Sequence, residues 1–320
     1  MNQVLKKSFL PSFCTSNLKV IELIMLICKY KKYPLLIEST SNQVNQYGGY
    51  SGFTPEKFKK KINQLIAKTG FKKSNFLLGG DHLGPLPFKN YNSHQAMQKS
   101  KTLILGYLRS NYGKIHLDTA IKCKNQKKIT LKENFLRFKK LVYLIPNKKL
   151  KDIHLVVGTE VPLAGGGSYK IQPTKLDKIK YDYLNYSDVL RKIFKGSKKN
   201  FSIVIEPGIT FKNNSIIIPR MKKFKTILNY SKQNNFYFEA HSTDYQPLSS
   251  LKKLVKNNFK FLKVGPELTY QYSRALFAME KLEKKYEFKN YSSIKKNIYN
   301  EMNSDDKYWK GYYVGDKNKI

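Results

Sequence analysis

Seven short apolar runs in this chain each end in a polar, mostly acidic tip, and that recurrence constrains the fold more than anything else in the sequence. The endings are Leu-Leu-Ile-Glu38, Leu-Leu-Gly-Gly-Asp81-His82, Ile-His116-Leu-Asp118, Val-Val-Gly-Thr-Glu160, Ile-Val-Ile-Glu206, Tyr-Phe-Glu239-Ala-His241-Ser-Thr-Asp244 and Lys263-Val-Gly-Pro-Glu267. Asp and Glu together number 22 against 60 Lys and Arg, so acids gathered at these ends are placed rather than scattered. Phe9 to Asn17 supplies an eighth strand candidate. Buried strands that all open into polar tips are how a (β/α)8 TIM barrel builds a site on one rim.

Between the runs the spacing turns helical. Thr54-Pro55 is a favoured cap and first-turn pair, followed by Phe58, Ile62, Leu65 and Ile66 on one face. Ser93 opens a second helix that closes by Gly113, with Met97, Leu103, Ile104 and Tyr107 facing inward. Thr130 and Glu133 form a capping box ahead of Phe135, Phe138, Leu141 and Val142. Further helices are predicted at 186–195, 222–234, 249–257 and 273–287. Alternating strand and helix implies a parallel sheet whose right-handed crossovers return every tip to the same rim. An open doubly wound sheet is the competing architecture, but it reads ligands mainly at one switch point, whereas here nearly every run ends in a functional group. The expectation is a barrel over 1–285 with a helical appendage over 286–320. Leu163 to Ser168, rich in glycine, reads as a mobile lid loop.

A net charge of +38 ordinarily points to nucleic acid or an anionic membrane. Only Arg109, Arg137, Arg191, Arg220 and Arg274 supply the planar guanidinium that dedicated nucleic-acid proteins favour. The Lys clusters lie mostly between the apolar runs, as solvated helix faces do. Cys14, Cys28 and Cys123 make neither a C-x-x-C pair nor an even disulfide set, so a reducing cytoplasm is expected. The apolar run Ile21 to Cys28 is far short of the ~20 residues that span a bilayer. No G-x-x-x-x-G-K-[ST] loop is present, which argues against a kinase.

Side chains two apart on a strand share a face, so His116 with Asp118 and Glu239 with His241 each aim a pair into one cavity. His82 and His241 can jointly hold a divalent ion if the third and seventh tips converge, with Glu160, Glu206 or Glu239 completing the site. Zn2+ suits such a set, and Mn2+ or Mg2+ are alternatives. A lone His or Asp at a strand end is equally often a hydrogen-bonded structural group, and that reading stays open for His116 and Asp244. His94 and His154 read as ordinary. The last two strand-to-helix loops commonly bind phosphate in this fold, which makes Ser242, Thr243, Asp244 and Gly265 candidates, with Lys263 adding charge or, alternatively, serving as a Schiff-base nucleophile.

Six colinear motifs carry a family resemblance: Leu36 to Tyr50, Gly79-Gly-Asp-His-Leu-Gly-Pro85, Lys114-Ile-His-Leu-Asp118, Gly158-Thr-Glu-Val-Pro162, Glu239-Ala-His-Ser-Thr-Asp-Tyr-Gln246 and Leu262-Lys-Val-Gly-Pro266. Together they resemble the Z-type subunits of D-tagatose-1,6-bisphosphate aldolase, the GatZ/KbaZ family. The resemblance implies a class II aldolase-like barrel whose members support a separate catalytic aldolase subunit, some relatives being metal-dependent 4-epimerases of ketose phosphates. It places His82 and His241 at metal-ligand positions with Glu206 as third ligand, Asp81, Asp118 and Glu160 at the chemistry, and Asn42 and Gln43 among substrate contacts. Expected partners are a catalytic subunit, a ketose phosphate substrate and further copies of this chain. The chain departs from the family pattern in carrying Glu for Gln at position 206, in the Lys-rich loop from Cys123, and in ending at Ile320 without an Arg- and Tyr-rich helical region. The Glu at 206 implies stronger or altered metal binding, and the missing C-terminal region implies weaker lid closure or subunit docking.

Overall fold

A computed structural model describes residues 3–150, 152–158, 171–194, 201–212, 215–219, 224–287 and 289–305. Its strands are β1 (Leu10–Cys14), β2 (Leu35–Thr40), β3 (Phe76–Leu83), β4 (Lys114–Leu117), β5 (His154–Val157), β6 (Phe201–Val204), β7 (Tyr237–Ala240) and β8 (Phe259–Val264). All pair in parallel with their sequence neighbours, and β8 closes on β1 through Leu10 opposite Phe261 and Ser12 opposite Lys263. The helices α1 (Leu18–Tyr30), α2 (Pro55–Thr69), α3 (Ser93–Arg109), α4 (Leu131–Val142), α5 (Leu176–Phe194), α6 (Phe224–Gln233), α7 (Leu248–Lys256) and α8 (Pro266–Lys285) follow the eight strands in turn. The closed barrel is therefore the observed architecture. A short antiparallel ribbon, Thr210–Phe211 with Ile216–Ile217, follows β6.

Local sequence explains the helix ends. Thr54 accepts from the Lys57 N–H and Asn92 from the Gln95 N–H, while Gly70 ends α2 in a left-handed turn at φ +62. Only half of the predicted capping box forms. Thr130 accepts from the Glu133 N–H, but the Glu133 carboxylate turns to Gln126 and Arg137. Two helices start earlier than the spacing predicted. For α5, Tyr183 and Ile179 are buried one and two turns ahead of Tyr186, extending the apolar face backwards. For α8, Pro266 occupies the first turn, where a missing N–H costs nothing, so it starts the helix instead of excluding it. The tail beyond Tyr286 carries α9 (Ile294–Ser304), tied to α8 by the Lys295 N–H donating to Glu280. The predicted lid loop lies outside the described residues.

The barrel interior changes character along its axis. At the N-terminal end, Val4 and Leu5 from a 3-10 turn pack on Leu10, Leu36, Leu77 and Phe261. Above this plug, His154 meets the Phe261 ring edge-on, with Nε2 hydrogen-bonded to Ser202, and is the structural histidine the sequence indicated. Next comes Lys114, wholly buried and 4.9 Å above the Phe261 ring, paired with Glu38 and with Glu239 at 2.7 Å. Glu38 finds room because its neighbour in β3 is Gly79, where an added Cβ would sit 2.9 Å from the Glu38 Cγ. Removing one partner of a buried ion pair leaves an uncompensated charge and costs about 3–5 kcal/mol. Lys114→Met, which keeps the volume, is expected to lose that much in urea unfolding; a loss within about 1 kcal/mol would show that the carboxylates are neutral or solvated.

Candidate metal and acid–base site

The tips of β2, β3, β4, β7 and β8 converge into one polar cluster at the C-terminal mouth. The ring centroids of His82, His116 and His241 form a triangle with sides of 5.0, 5.3 and 5.4 Å. The third and seventh tips thus do approach closely, as joint use of His82 and His241 requires. Ligand-type atoms of Asp81, His116, Glu239 and His241 all lie within 4.8 Å of one another, and all four residues are buried.

Each member is held by named contacts. His116 Nδ1 faces Asp81 Oδ1 at 2.7 Å and its Nε2 faces the Gly158 carbonyl at 3.1 Å. His82 Nδ1 lies 2.8 Å from Asp118 Oδ2. His82 also takes φ +50, the left-handed region that costs a non-glycine residue about 1–3 kcal/mol. The strain coincides with a register shift between β3 and β4, which turns the end of β3 so that the imidazole reaches the mouth. Gly84 is part of the same device, since a Cβ there would overlap the Asp118 carbonyl oxygen. His241 Nε2 is 2.9 Å from Glu239 Oε1, and the buried Nδ1 has no hydrogen-bond partner among the described residues.

Lys263 sits beneath the histidines, against Asp81 and within 3.4 Å of Glu239 and 3.6 Å of Glu38. Burial opposes its charge, but the three carboxylates outweigh this and raise its pKa, so it is a fixed ammonium. That position removes it both from a phosphate-binding role and from service as an amine nucleophile. Burial also opposes ionisation of Asp81 and Glu239. His82 and Lys263 overcome it at Asp81, and Lys114 and Lys263 at Glu239, holding both well below the usual carboxylate range. Burial and then Lys263 depress His241 to about 3, leaving a neutral imidazole.

These facts decide whether a divalent cation suits the cluster. Four carboxylates, Glu38, Asp81, Asp118 and Glu239, face two ammoniums, Lys114 and Lys263, and four less two leaves two negative charges before any imidazole is protonated. Burial opposes a charge on His82, but Asp81 and Asp118 outweigh it and raise the His82 pKa, so a proton there takes up one of them. Imidazole protons or one divalent ion can balance that surplus. The neutral His241, with a buried nitrogen that has no partner among the described residues, stands within the close-set group of Asp81, His116 and Glu239, so the donor set fits.

Other predicted residues take different positions. Glu206 is spent on its own loop, where Oε1 accepts from the Gly208 and Ile209 N–H groups at 2.6 and 2.8 Å, and it is not in the close-set ligand group. Glu239 and His116 stand there instead. Glu160 lies outside the described residues. Gln43 turns back to accept from the Thr40 N–H, and Asn42 is exposed. Thr243 donates to the Lys263 carbonyl, and the adjacent Ser242 adopts φ +54. The α8 start expected to cradle a phosphate is filled internally, because Asp244 Oδ1 accepts from the Gly265 and Glu267 N–H groups, both at 2.9 Å. An anion already in place excludes a second one there. Sequence reasoning gave no role to Lys114, although 114, 116 and 118 share one face of β4 by simple alternation.

Residue Asp244 has a pH signature of its own. Burial raises its pKa to about 6 despite the two backbone donors. The folded state therefore holds the proton more tightly than an unfolded chain with a pKa near ~3.9. Its contribution to stability is full below that value, falls as pH rises to about 6, and is lost above. Asp244→Asn keeps an oxygen acceptor without the buried charge. Relative to the native chain it is expected to gain about 1–2 kcal/mol between pH 4 and pH 7, read from denaturant unfolding at each pH. A pH-independent difference would refute the assignment.

The barrel with a charged mouth places the protein in the aldolase-like class of (β/α)8 folds. It superposes on the crystal structure of a probable tagatose 6 phosphate kinase from Sinorhizobium meliloti 1021 with a TM-score of 0.82 and 28% identity, covering 97% of this chain and 79% of that one. Fructose-bisphosphate aldolase (Fba) from Campylobacter jejuni shares the fold at a TM-score of 0.57 and 14% identity, over 88% of this chain and 79% of that one. The chain belongs to the D-tagatose-1,6-bisphosphate aldolase subunit GatZ/KbaZ-like family, whose model matches residues 2–320. The D-tagatose-1,6-bisphosphate aldolase subunit GatZ of Escherichia coli O6:K15:H31 (strain 536 / UPEC) is 32% identical over 314 residues, 94% of this chain and 74% of that protein. Among the described residues no helix is long and apolar enough to cross a membrane.

Proposed function

We propose that this chain works in ketose phosphate metabolism as a Z-type subunit that supports a separate catalytic class II tagatose-bisphosphate aldolase, and that its own mouth binds a divalent cation and a ketose phosphate. Family membership along nearly the whole chain carries the first part, and the excess of carboxylates over ammoniums around a neutral His241 carries the second. Three buried free cysteines accord with a reducing cytoplasm. Further copies of this chain are a second class of partner. The mixed imidazole and carboxylate donors favour Zn2+ or Mn2+ over Mg2+.

His241, Asp81 and Glu239 would hold the ion, with His116 or His82 completing the set. A cation bound there supplies polarisation of a substrate carbonyl. Around it, Lys263 keeps Asp81 and Glu239 ionised and fixed. His82, whose side chain is the most accessible of the three imidazoles, is oriented by Asp118 and is placed to take or give a proton at a substrate hydroxyl. A complete acid–base pair at the mouth favours a second reading, in which the chain is itself a 4-epimerase joining fructose 6-phosphate and tagatose 6-phosphate. C4 is not adjacent to the C2 carbonyl, so inversion there needs C3–C4 cleavage after proton removal from the C4 hydroxyl, followed by re-addition to the other face of the aldehyde.

Incubation of the purified chain with tagatose 1,6-bisphosphate and each ketose 6-phosphate, with and without divalent metal and a catalytic aldolase subunit, separates these readings. Trioses that accumulate from the bisphosphate faster only with both chains present support the subunit role. Epimer formed by this chain alone supports the second reading, and neither product would dismiss both. His241→Ala is expected to lose at least roughly ten-fold in divalent-ion affinity without unfolding. Elemental analysis after dialysis and a thermal melt check this, and unchanged metal content would remove the cation from the scheme.

A further inference from the structure

A cleft of about 450 Å3 opens at the N-terminal rim, the opposite end of the barrel from the charged mouth. It lies between α2, the end of α3 and the first residues of β3 and β4. That volume falls in the ~300–1,000 Å3 range of small-molecule sites. Its floor is apolar, formed by Ile66, Phe76 and Leu108, while Lys59, Lys73 and Lys149 line its polar side with a single acid, Asp152.

The lysines differ in how far they are already satisfied. Lys149 Nζ donates to the Leu108 carbonyl at 2.5 Å and to Asn111 Oδ1 at 3.1 Å, so it is fixed at the end of α3 by neutral groups alone. Lys59 lies partly buried, 5.9 Å above the Phe76 ring, and the described residues place no carboxylate within ion-pair distance of it or of Lys73. Burial, followed by repulsion from Lys73, lowers the Lys59 pKa. Three lysines around one apolar floor, against the one acid Asp152 among the described lining residues, form a site short of an anion.

We propose that this cleft binds a small phosphate-bearing molecule with an apolar or planar portion, the chemistry of a nucleoside phosphate, at a site separate from the mouth. Phosphate oxygens meet Lys59 and Lys73, with Lys149 held ready beside them. The apolar or planar portion lies in the cleft against the edges that Ile66, Phe76 and Leu108 present to it. Lys supplies point charges rather than a planar fork, which suits the several orientations of a diphosphate.

Calorimetric titration of the full chain with ADP at physiological ionic strength tests this. One saturable site is expected, weakened at least roughly ten-fold in Lys59→Ala/Lys73→Ala and changed less than about two-fold in Lys31→Ala/Lys32→Ala, two exposed lysines elsewhere that control for the overall charge. Lysine acylation read by mass spectrometry is expected to slow at Lys59 and Lys73 when ADP is present. His241→Ala should retain the binding, which separates this site from the mouth. Non-saturable binding, equal losses in the control pair, or loss in His241→Ala would each overturn the proposal. A thermal melt confirms that both double variants are folded.

Discussion

Two lysines inside the barrel, Lys114 and Lys263, organise everything above them. Each is bound by carboxylates from different strands: Lys114 joins β2 and β7 through Glu38 and Glu239, and Lys263 on β8 joins β2, β3 and β7 through Glu38, Asp81 and Glu239. Charges of alternating sign spaced across five strands fix the relative height of those strands as firmly as the hydrogen-bonded ladder does. The arrangement is tolerable in a dry interior because Glu38 and Glu239 each share both ammoniums and Asp81 has Lys263 and His82 beside it. Replacing either lysine alone leaves Glu38 and Glu239 to share the one that remains.

That interior ionic layer also sets the chemistry of the mouth. By holding Asp81 and Glu239 ionised, the ammoniums leave the histidines above them facing fixed negative charge. His241 nevertheless stays neutral, because burial and Lys263 together outweigh Glu239 and Asp81. The mouth therefore offers both a neutral nitrogen and anionic oxygens, the combination a divalent cation selects over a monovalent one. The local cost appears in the backbone, at φ +50 for His82 and in the interrupted β3–β4 register, and the neighbouring ladder holds it in place.

The architecture was legible in the sequence because barrel strands, buried on both faces, must be short and apolar and must end where solvent begins. Once eight such runs alternate with helical spacing, few folds remain. Residues whose role depends on a partner far along the chain were less legible. Alternation along β4 places Lys114 inward, yet nothing local says that Glu38 and Glu239 meet it, since those contacts arise only when the sheet closes. Glu206 and Asp244 misled for the opposite reason. Each stands at a strand end, where function concentrates, but each finds backbone N–H groups within its own or the adjoining loop, and a satisfied carboxylate has little left for a ligand. Pro266 stands in the first turn of α8, ahead of the start predicted at 273, because a missing N–H costs nothing there.

The composition conceals an inversion of charge between surface and core. Over the whole chain 60 Lys and Arg stand against 22 acids, and with most of the lysines exposed the surface attracts anions. Within the mouth cluster the acids outnumber the ammoniums, so the same molecule attracts cations there. Strand β3 spans both regions: Phe76, Leu77 and Leu78 line the lysine-bordered cleft at one end, and Asp81 and His82 line the mouth at the other. Uniform replacement of acids by lysine would have abolished the mouth cluster. The acids at this mouth stand among opposite charges and imidazoles, a placement that neither solubility nor helix stability demands. An interior that needed only packing would be filled at lower cost by apolar side chains. The ionic layer is therefore a feature that packing alone does not explain, and it supports the cation and substrate proposed for this mouth.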